Sequence, residues 1–142
     1  MLLGEYQHSL DDKGRLTVPA RIREDLGDSF IITRGPDGCL FAYPRGQWAV
    51  LEEKVKSLPA EDPEVLAFIR LFFSKAVEVE VDKQGRVGLP QHLRTYAQID
   101  RDVFINGVST RVEIWSAERW AEYAGQAEPA YPQMARKVGL IV

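Results

Sequence analysis

Two arginines occupy the same place in a pattern that occurs twice. Residues Asp11 to Arg23 align without a gap with Asp82 to Arg94, sharing Asp-x-x-Gly-Arg-φ-x-φ-Pro-x-x-φ-Arg, where φ is apolar. Arg15 and Arg86 each follow the glycine. A guanidinium is a planar fork of donors that matches a phosphate or the O6 and N7 atoms of guanine. Around them lie further cations. Lys13, Arg15, Arg21 and Arg23 fall between Asp12 and Glu24, and Lys83, Arg86 and Arg94, with His92, fall between Asp82 and Asp100; neither window contains an acid. Acid is concentrated elsewhere, in Glu52-Glu53, in Glu61, Asp62 and Glu64, and in Glu78 to Asp82. With a net charge of -3 over 142 residues, the chain cannot coat nucleic acid through bulk positive potential. Any phosphate-binding surface is local. The plain alternative for either arginine is a salt bridge to a nearby carboxylate. Repetition within acid-free windows favours guanidiniums projecting from the two turns, free of carboxylate neighbours.

Other chemistries find little support. Asp11 and Asp82 are a symmetric carboxylate pair, which could mimic a proton-sharing dyad. Their flanks instead suit them to holding a turn and orienting Arg15 or Arg86. His8 and His92 have no Cys-x-x-Cys or His-x-x-x-His companion, so no metal is expected. Cys39, the only cysteine, cannot form an intrachain disulfide and reads as a small buried hydrophobe in a reducing cytosol. Trp48 and Trp120 recur at matching positions on apolar helix faces and read as packing residues rather than base-stacking ones. No phosphate loop, nucleophile elbow or dinucleotide fingerprint is present. The reading is of a protein with no catalytic site, no cofactor and no small-molecule substrate.

The elements that carry these residues follow from local chemistry. Glu5 to Leu10 and Ala76 to Val81 are strand candidates, the second alternating apolar and acidic residues. Asp-x-x-Gly is turn chemistry: the Asp accepts from backbone N–H groups ahead of it, and Gly14 or Gly85 takes a positive φ. A second strand then returns, stopped by Pro19 or Pro90, and short helices are expected over Ala20 to Leu26 and Gln91 to Tyr96. Further strands are expected over Ser29 to Thr33 and Cys39 to Tyr43, then over Val103 to Asn106 and Arg111 to Trp115. A later match aligns Tyr43 to Trp48 with Trp115 to Trp120, so the duplication spans most of each half.

The chain thus divides into a first module over 1–58, a helical insert over 59–75, a second module over 76–124 and a tail over 125–142. Gln47 to Leu58 and Pro63 to Lys75 have helical periodicity, whereas Gly125 to Gln133 reads as an ordered loop or mobile tail. Val138 to Val142 is apolar enough to pack against its own module or a neighbouring subunit. The opening residues lack the basic stretch and apolar run of an export signal, and no segment is apolar for the roughly 18 residues a membrane span requires. A cytoplasmic protein without membrane contact is expected. Two small modules that cannot each bury a core can share one across a pseudo-two-fold axis. The fold class is mainly β with helices, in a compact barrel-like body.

These motifs resemble the MraZ family, which carries two SpoVT/AbrB-type elements in one chain, and the resemblance covers nearly the whole length. It rests on the Asp-x-x-x-Arg motifs Asp11 to Arg15 and Asp82 to Arg86, and on Val81 to Arg94. The resemblance implies a swapped-hairpin, double-psi-like barrel and a ring-shaped homo-oligomer. It also implies binding to short DNA repeats upstream of the division and cell-wall gene cluster, with regulation of that cluster and of the protein's own operon. Carried over by position, Arg15 and Arg86 are the leading DNA contacts, with Arg23 and Arg94 next. Lys13 and Lys83 lie at non-equivalent positions of the two turns, and Arg21 adds a further cation. Where AbrB-like modules place a basic residue three before the motif Asp, this chain has His8 and Val79, so the second half presents less charge. The rival reading is an antitoxin-like or scaffold module that binds protein.

Overall fold

A computed structural model describes residues 1–139. Eight strands and six α-helices follow in the order β1 (Glu5–Ser9), β2 (Arg15–Thr17), α1 (Ala20–Leu26), β3 (Ser29–Arg34), β4 (Leu40–Pro44), α2 (Arg45–Lys56), α3 (Pro63–Ser74), β5 (Val77–Glu80), β6 (Arg86–Gly88), α4 (Gln91–Tyr96), β7 (Asp102–Val108), β8 (Arg111–Ser116), α5 (Ala117–Ala127) and α6 (Tyr131–Lys137). Pro19 and Pro90 end the second strand of each copy with φ near -55° and -58° and stand as the N-caps of α1 and α4. Proline cannot donate to a ladder, but its fixed φ leads into a helix.

The pairing is exchanged between the copies. Six strands form one antiparallel sheet in the order β1-β7-β8-β4-β3-β5, and β2 pairs with β6 in a separate two-stranded ribbon. If each strand is replaced by its equivalent in the other copy, the order reads the same from the opposite edge. The axis of that relation lies between β4 and β8, where Leu40 faces Ile114 and Ala42 faces Val112. At the edges, β1 of the first copy pairs with β7 of the second, and β5 of the second pairs with β3 of the first. No ring of hydrogen-bonded strands closes among the described residues, so the barrel-like body expected from sequence is an open sheet with a ribbon packed against it.

Leu16, Val18, Val87 and Leu89 of the ribbon region join Phe30, Ile32, Leu40, Val103, Val112 and Ile114 of the sheet in one buried core, with Ile22 and Leu93 entering from α1 and α4. Removing a side chain of leucine size from water contributes about 1.5–3 kcal/mol. Because both copies supply these residues, the core belongs to neither alone. On the outer sheet face, α2 and α3 cover β3 and β4, and this is why the run Phe30 to Thr33 is buried throughout. Trp48 stacks on Phe72, with ring centroids 5.4 Å apart. In the second copy Trp120 packs on Trp115 and Tyr123, and its indole N–H donates to Glu5 Oε1. Cys39 is fully buried, and burial pushes its thiol up to about 12.

The segment Gly125 to Gln133 is helical, contrary to the loop or mobile tail expected from its prolines and small residues. Helix α5 runs to Ala127, a 3₁₀ turn spans Glu128–Ala130, and α6 follows. Pro129 and Pro132 sit within the first two positions of their helical turns, where no intrahelical N–H is needed. Of the apolar C-terminal stretch, Val138 is exposed rather than packed, and Leu140 to Val142 lie outside the described residues. Among the described residues, no helix is long and apolar enough to cross a membrane, and no cluster of His, Cys, Asp or Glu could hold a metal ion.

Candidate nucleic-acid interface

Each Asp-x-x-Gly-Arg segment folds into the same tight turn. The backbone N–H of Gly14 donates to Asp11 O at 3.0 Å, and that of Gly85 donates to Asp82 O at the same distance. Inside the turn, Asp11 Oδ1 accepts from the backbone N–H groups of Lys13 and Arg15 at 2.9 Å, and Asp82 Oδ1 accepts from those of Gln84 and Arg86, also at 2.9 Å. Acceptance of backbone hydrogen bonds favours the ionised form. The Arg15 N–H above all, then the Arg15 and Lys13 donors around it, hold the Asp11 carboxyl down to about 2. The Asp82 carboxyl is lowered too, chiefly by the Arg86 backbone N–H.

The second carboxylate oxygen reaches the arginine. Arg15 Nε donates to Asp11 Oδ2 at 2.7 Å, and Arg86 Nε donates to Asp82 Oδ2 at 3.2 Å. Asp11 Oδ2 also lies 3.6 Å from Arg86 Nη1, so one carboxylate sits between the guanidiniums of both copies. This overturns the expectation that Arg15 and Arg86 stand free of carboxylates. The acid-free windows were defined along the chain, whereas the turn folds the residue four positions earlier back onto the arginine. The side chains keep 34% and 24% of their surface, respectively. Neither is sequestered, and each is held at the Nε edge.

The turns are braced by the opposite copy. Val18 N–H donates to Gly85 O at 2.9 Å, and Leu89 N–H donates to Gly14 O at 3.0 Å. Arg94 donates from Nε to Leu89 O at 2.9 Å and lays its guanidinium over Gly14, where a Cβ would stand 2.9 Å from Arg94 Cζ. Arg23 approaches Gly85 in the same sense, with 3.6 Å between Nη1 and the position of a Cβ, while its Nε donates to Asp28 at 2.8 Å. Arg23 and Arg94 therefore touch the other copy's turn, a nonlocal role that their sequence neighbourhood did not reveal. Lys13, Lys83 and Arg21 are exposed, and none has an ion pair among the described residues.

The surroundings of the two turns differ. An open cleft of about 820 Å³ runs beside the second turn, lined by His8, Thr17, Arg23, Glu24 and Gln84 among others. A smaller one of about 360 Å³ adjoins the first, where Asp11, Asp12 and Asp100 meet Arg94 and Arg101. Arg101 partly neutralises the acid there, with Nη1 3.6 Å from Asp12. Sequence reasoning passed over Arg101, which lies outside both basic windows.

Fold and site together define a protein of two interlocked hairpin modules, each ending in an Asp-x-x-x-Arg turn braced by its counterpart. Comparison with known proteins places this architecture. The model of a family described as "MraZ protein, putative antitoxin-like" matches residues 1–71 and again 72–139. The chain is 56% identical over 138 residues to the transcriptional regulator MraZ of Desulforamulus reducens, covering 97% of both proteins. It is 57% identical to the protein of that name from Desulfitobacterium hafniense, covering 97% of this chain and 96% of the relative. The corresponding protein of Carboxydothermus hydrogenoformans is 54% identical over the same shares. The chain belongs to the MraZ family.

Proposed function

We propose that this protein is a transcriptional regulator, not an enzyme, that binds short DNA repeats upstream of the division and cell-wall gene cluster and acts on its own operon. The observation that carries the reading is the convergence of Arg15 and Arg86 of the two turns on one carboxylate, Asp11, with the exposed cations Lys13 and Lys83 in the same turns. In this reading the lysines and Arg21 meet phosphates, and the braced turns set their register on the duplex. The relatives' shared name, transcriptional regulator, supports the same assignment. Cytoplasmic, nucleoid-associated protein is the corresponding location.

The exchange of β1 and β5 between copies supports a swapped-hairpin relation of the two modules, around an open sheet rather than a closed barrel. A ring-shaped homo-oligomer would supply the affinity that one acidic chain lacks, since linked weak sites make later contacts intramolecular. Self-association is supported by α3, which has no buried residue although Phe68 and Leu71 lie on it half exposed.

The test is a titration of the purified chain against DNA from its own upstream region and against shuffled DNA, at several salt concentrations. Binding to the upstream DNA should fall steeply with salt, and replacing Lys13 and Lys83 by Ala should flatten the logarithmic slope by roughly 0.9 per lost phosphate contact. Equal affinity for both duplexes would remove sequence specificity from the reading. A reporter driven by the same upstream region decides between repression and activation. The family description's antitoxin-like wording keeps a second reading open, in which the chain binds protein. Retention of a stoichiometric partner in place of DNA would favour it.

A further inference from the structure

The two arginines are not equally available, and the cause is a single difference between the turns. Where the first has Lys13 immediately before its glycine, the second has Gln84. An ammonium has no acceptor, but a carboxamide oxygen accepts. Gln84 Oε1 accepts a hydrogen bond from Arg86 Nη2. Arg86 Nε is already engaged by Asp82, and Nη1 lies 3.6 Å from Asp11. All three nitrogens of Arg86 therefore face protein oxygens. Arg15 is held through Nε alone, and among the described residues neither of its Nη atoms has a hydrogen-bond partner.

We infer that Arg15 is the residue that reads a guanine edge, and that Gln84 withholds Arg86 from the same task and makes it a strut between the turns. The inference rests on the DNA-binding reading above and sharpens it. A guanidinium fixed at Nε presents its two Nη groups as a pre-aligned fork, the arrangement needed for simultaneous donation to O6 and N7. Fixing the fork in advance removes part of the ordering cost on binding. Lysine keeps the positive charge but loses the planar, pre-aligned fork, so the fixed base-reading geometry separates from phosphate attraction. Asp11 then serves both roles, aligning the fork of Arg15 and anchoring the strut of Arg86.

The full-length chain and its Arg15→Lys, Arg86→Lys and Gln84→Ala variants should be titrated against the upstream duplex and a shuffled one at two salt concentrations, with thermal melts alongside. Arg15→Lys should cut the affinity ratio between duplexes on the order of tenfold or more, with the salt slope retained. Arg86→Lys should lower the melting temperature and weaken both duplexes together, leaving their ratio in place. Gln84→Ala, at an exposed position, should melt as the parent does and bind the upstream duplex more tightly, because it releases Nη2. Equal loss of the ratio in the two arginine variants would overturn the inference while sparing the DNA-binding reading. Absence of any preference in the parent would remove both. Should Arg86→Lys fail to fold, Gln84→Ala decides alone, and parental affinity on both duplexes would overturn the role assigned to Gln84.

Discussion

At the first turn a glycine with φ of 74° lies under the guanidinium of Arg94, while at the second a glycine with φ of 80° has the more distant Arg23 beside it. The backbone hydrogen bonds of the two turns agree to within about a tenth of an ångström. Their outer side chains do not agree. Lys13 is matched by Gln84, Asp12 by Lys83, and the bond between arginine and aspartate lengthens from 2.7 to 3.2 Å. Duplication has thus preserved what folds each turn and let diverge what each turn offers to a partner. Main-chain geometry leaves little freedom where Asp must cap a turn and Gly must take a positive φ. The surface side chains carry no such constraint.

The comparison can be broken hardest in the ribbon, where Leu16 faces Val87 and both are buried. Leu16→Ala should cost about 2–5 kcal/mol, and Val87→Ala less, because fewer buried groups are deleted. Urea unfolding followed by circular dichroism measures both; a larger loss at Val87 would mean that the two strands contribute to the core unequally in the opposite sense. A smaller effect separates the glycines. Alanine in the left-handed region costs roughly 1–2 kcal/mol at either site. Gly14→Ala should cost more than Gly85→Ala, since its methyl must also displace Arg94. Equal losses in the same unfolding assay would show that Arg94 yields freely.

The smallest expected effect lies in pH. Asp11 is held near 2, below its ordinary value of 3.8, so the folded form binds its proton less readily than the unfolded chain does. Its contribution to stability is therefore complete above about pH 4 and is lost as pH falls toward 2. Asp82 acts in the same direction. Carboxyl carbon chemical shifts followed through an acid titration should show Asp11 retaining its charge below pH 3, and Arg15→Ala should move its midpoint upward. A midpoint of Asp11 at its ordinary value would contradict the turn geometry.

What could be read from sequence follows the range of the interactions involved. Helices α1 and α4 begin where expected because Pro19 and Pro90 act within a residue or two. The turns are equally local. Exchange of β1 and β5 is implied by the family resemblance but not by local patterning, because pairing of Glu5 with Asn106 or of Ile32 with Val77 depends on a partner in the other copy. The ion pair of Arg15 with Asp11 was available in the four-residue spacing, since a tight turn brings those two positions together. The turn-holding, arginine-orienting role expected of Asp11 and Asp82 agrees with it, whereas counting charges along the chain pointed to free guanidiniums. For the C-terminal segment, prolines and small residues suggest a loop or tail, although proline in the first turn of a helix is compatible with helix.

The partnership of β1 with β7 also bears on how the chain is made. Glu5 leaves the ribosome long before Asn106, its neighbour in the finished sheet. At roughly 5–20 residues per second, the first strand waits on the order of five to twenty seconds for that neighbour to be synthesised. During that interval the emerging half exposes strand edges that its own sequence cannot cover. Completion of the sheet therefore falls to the last-made third of the chain, and the first half stays unfinished until synthesis is nearly over.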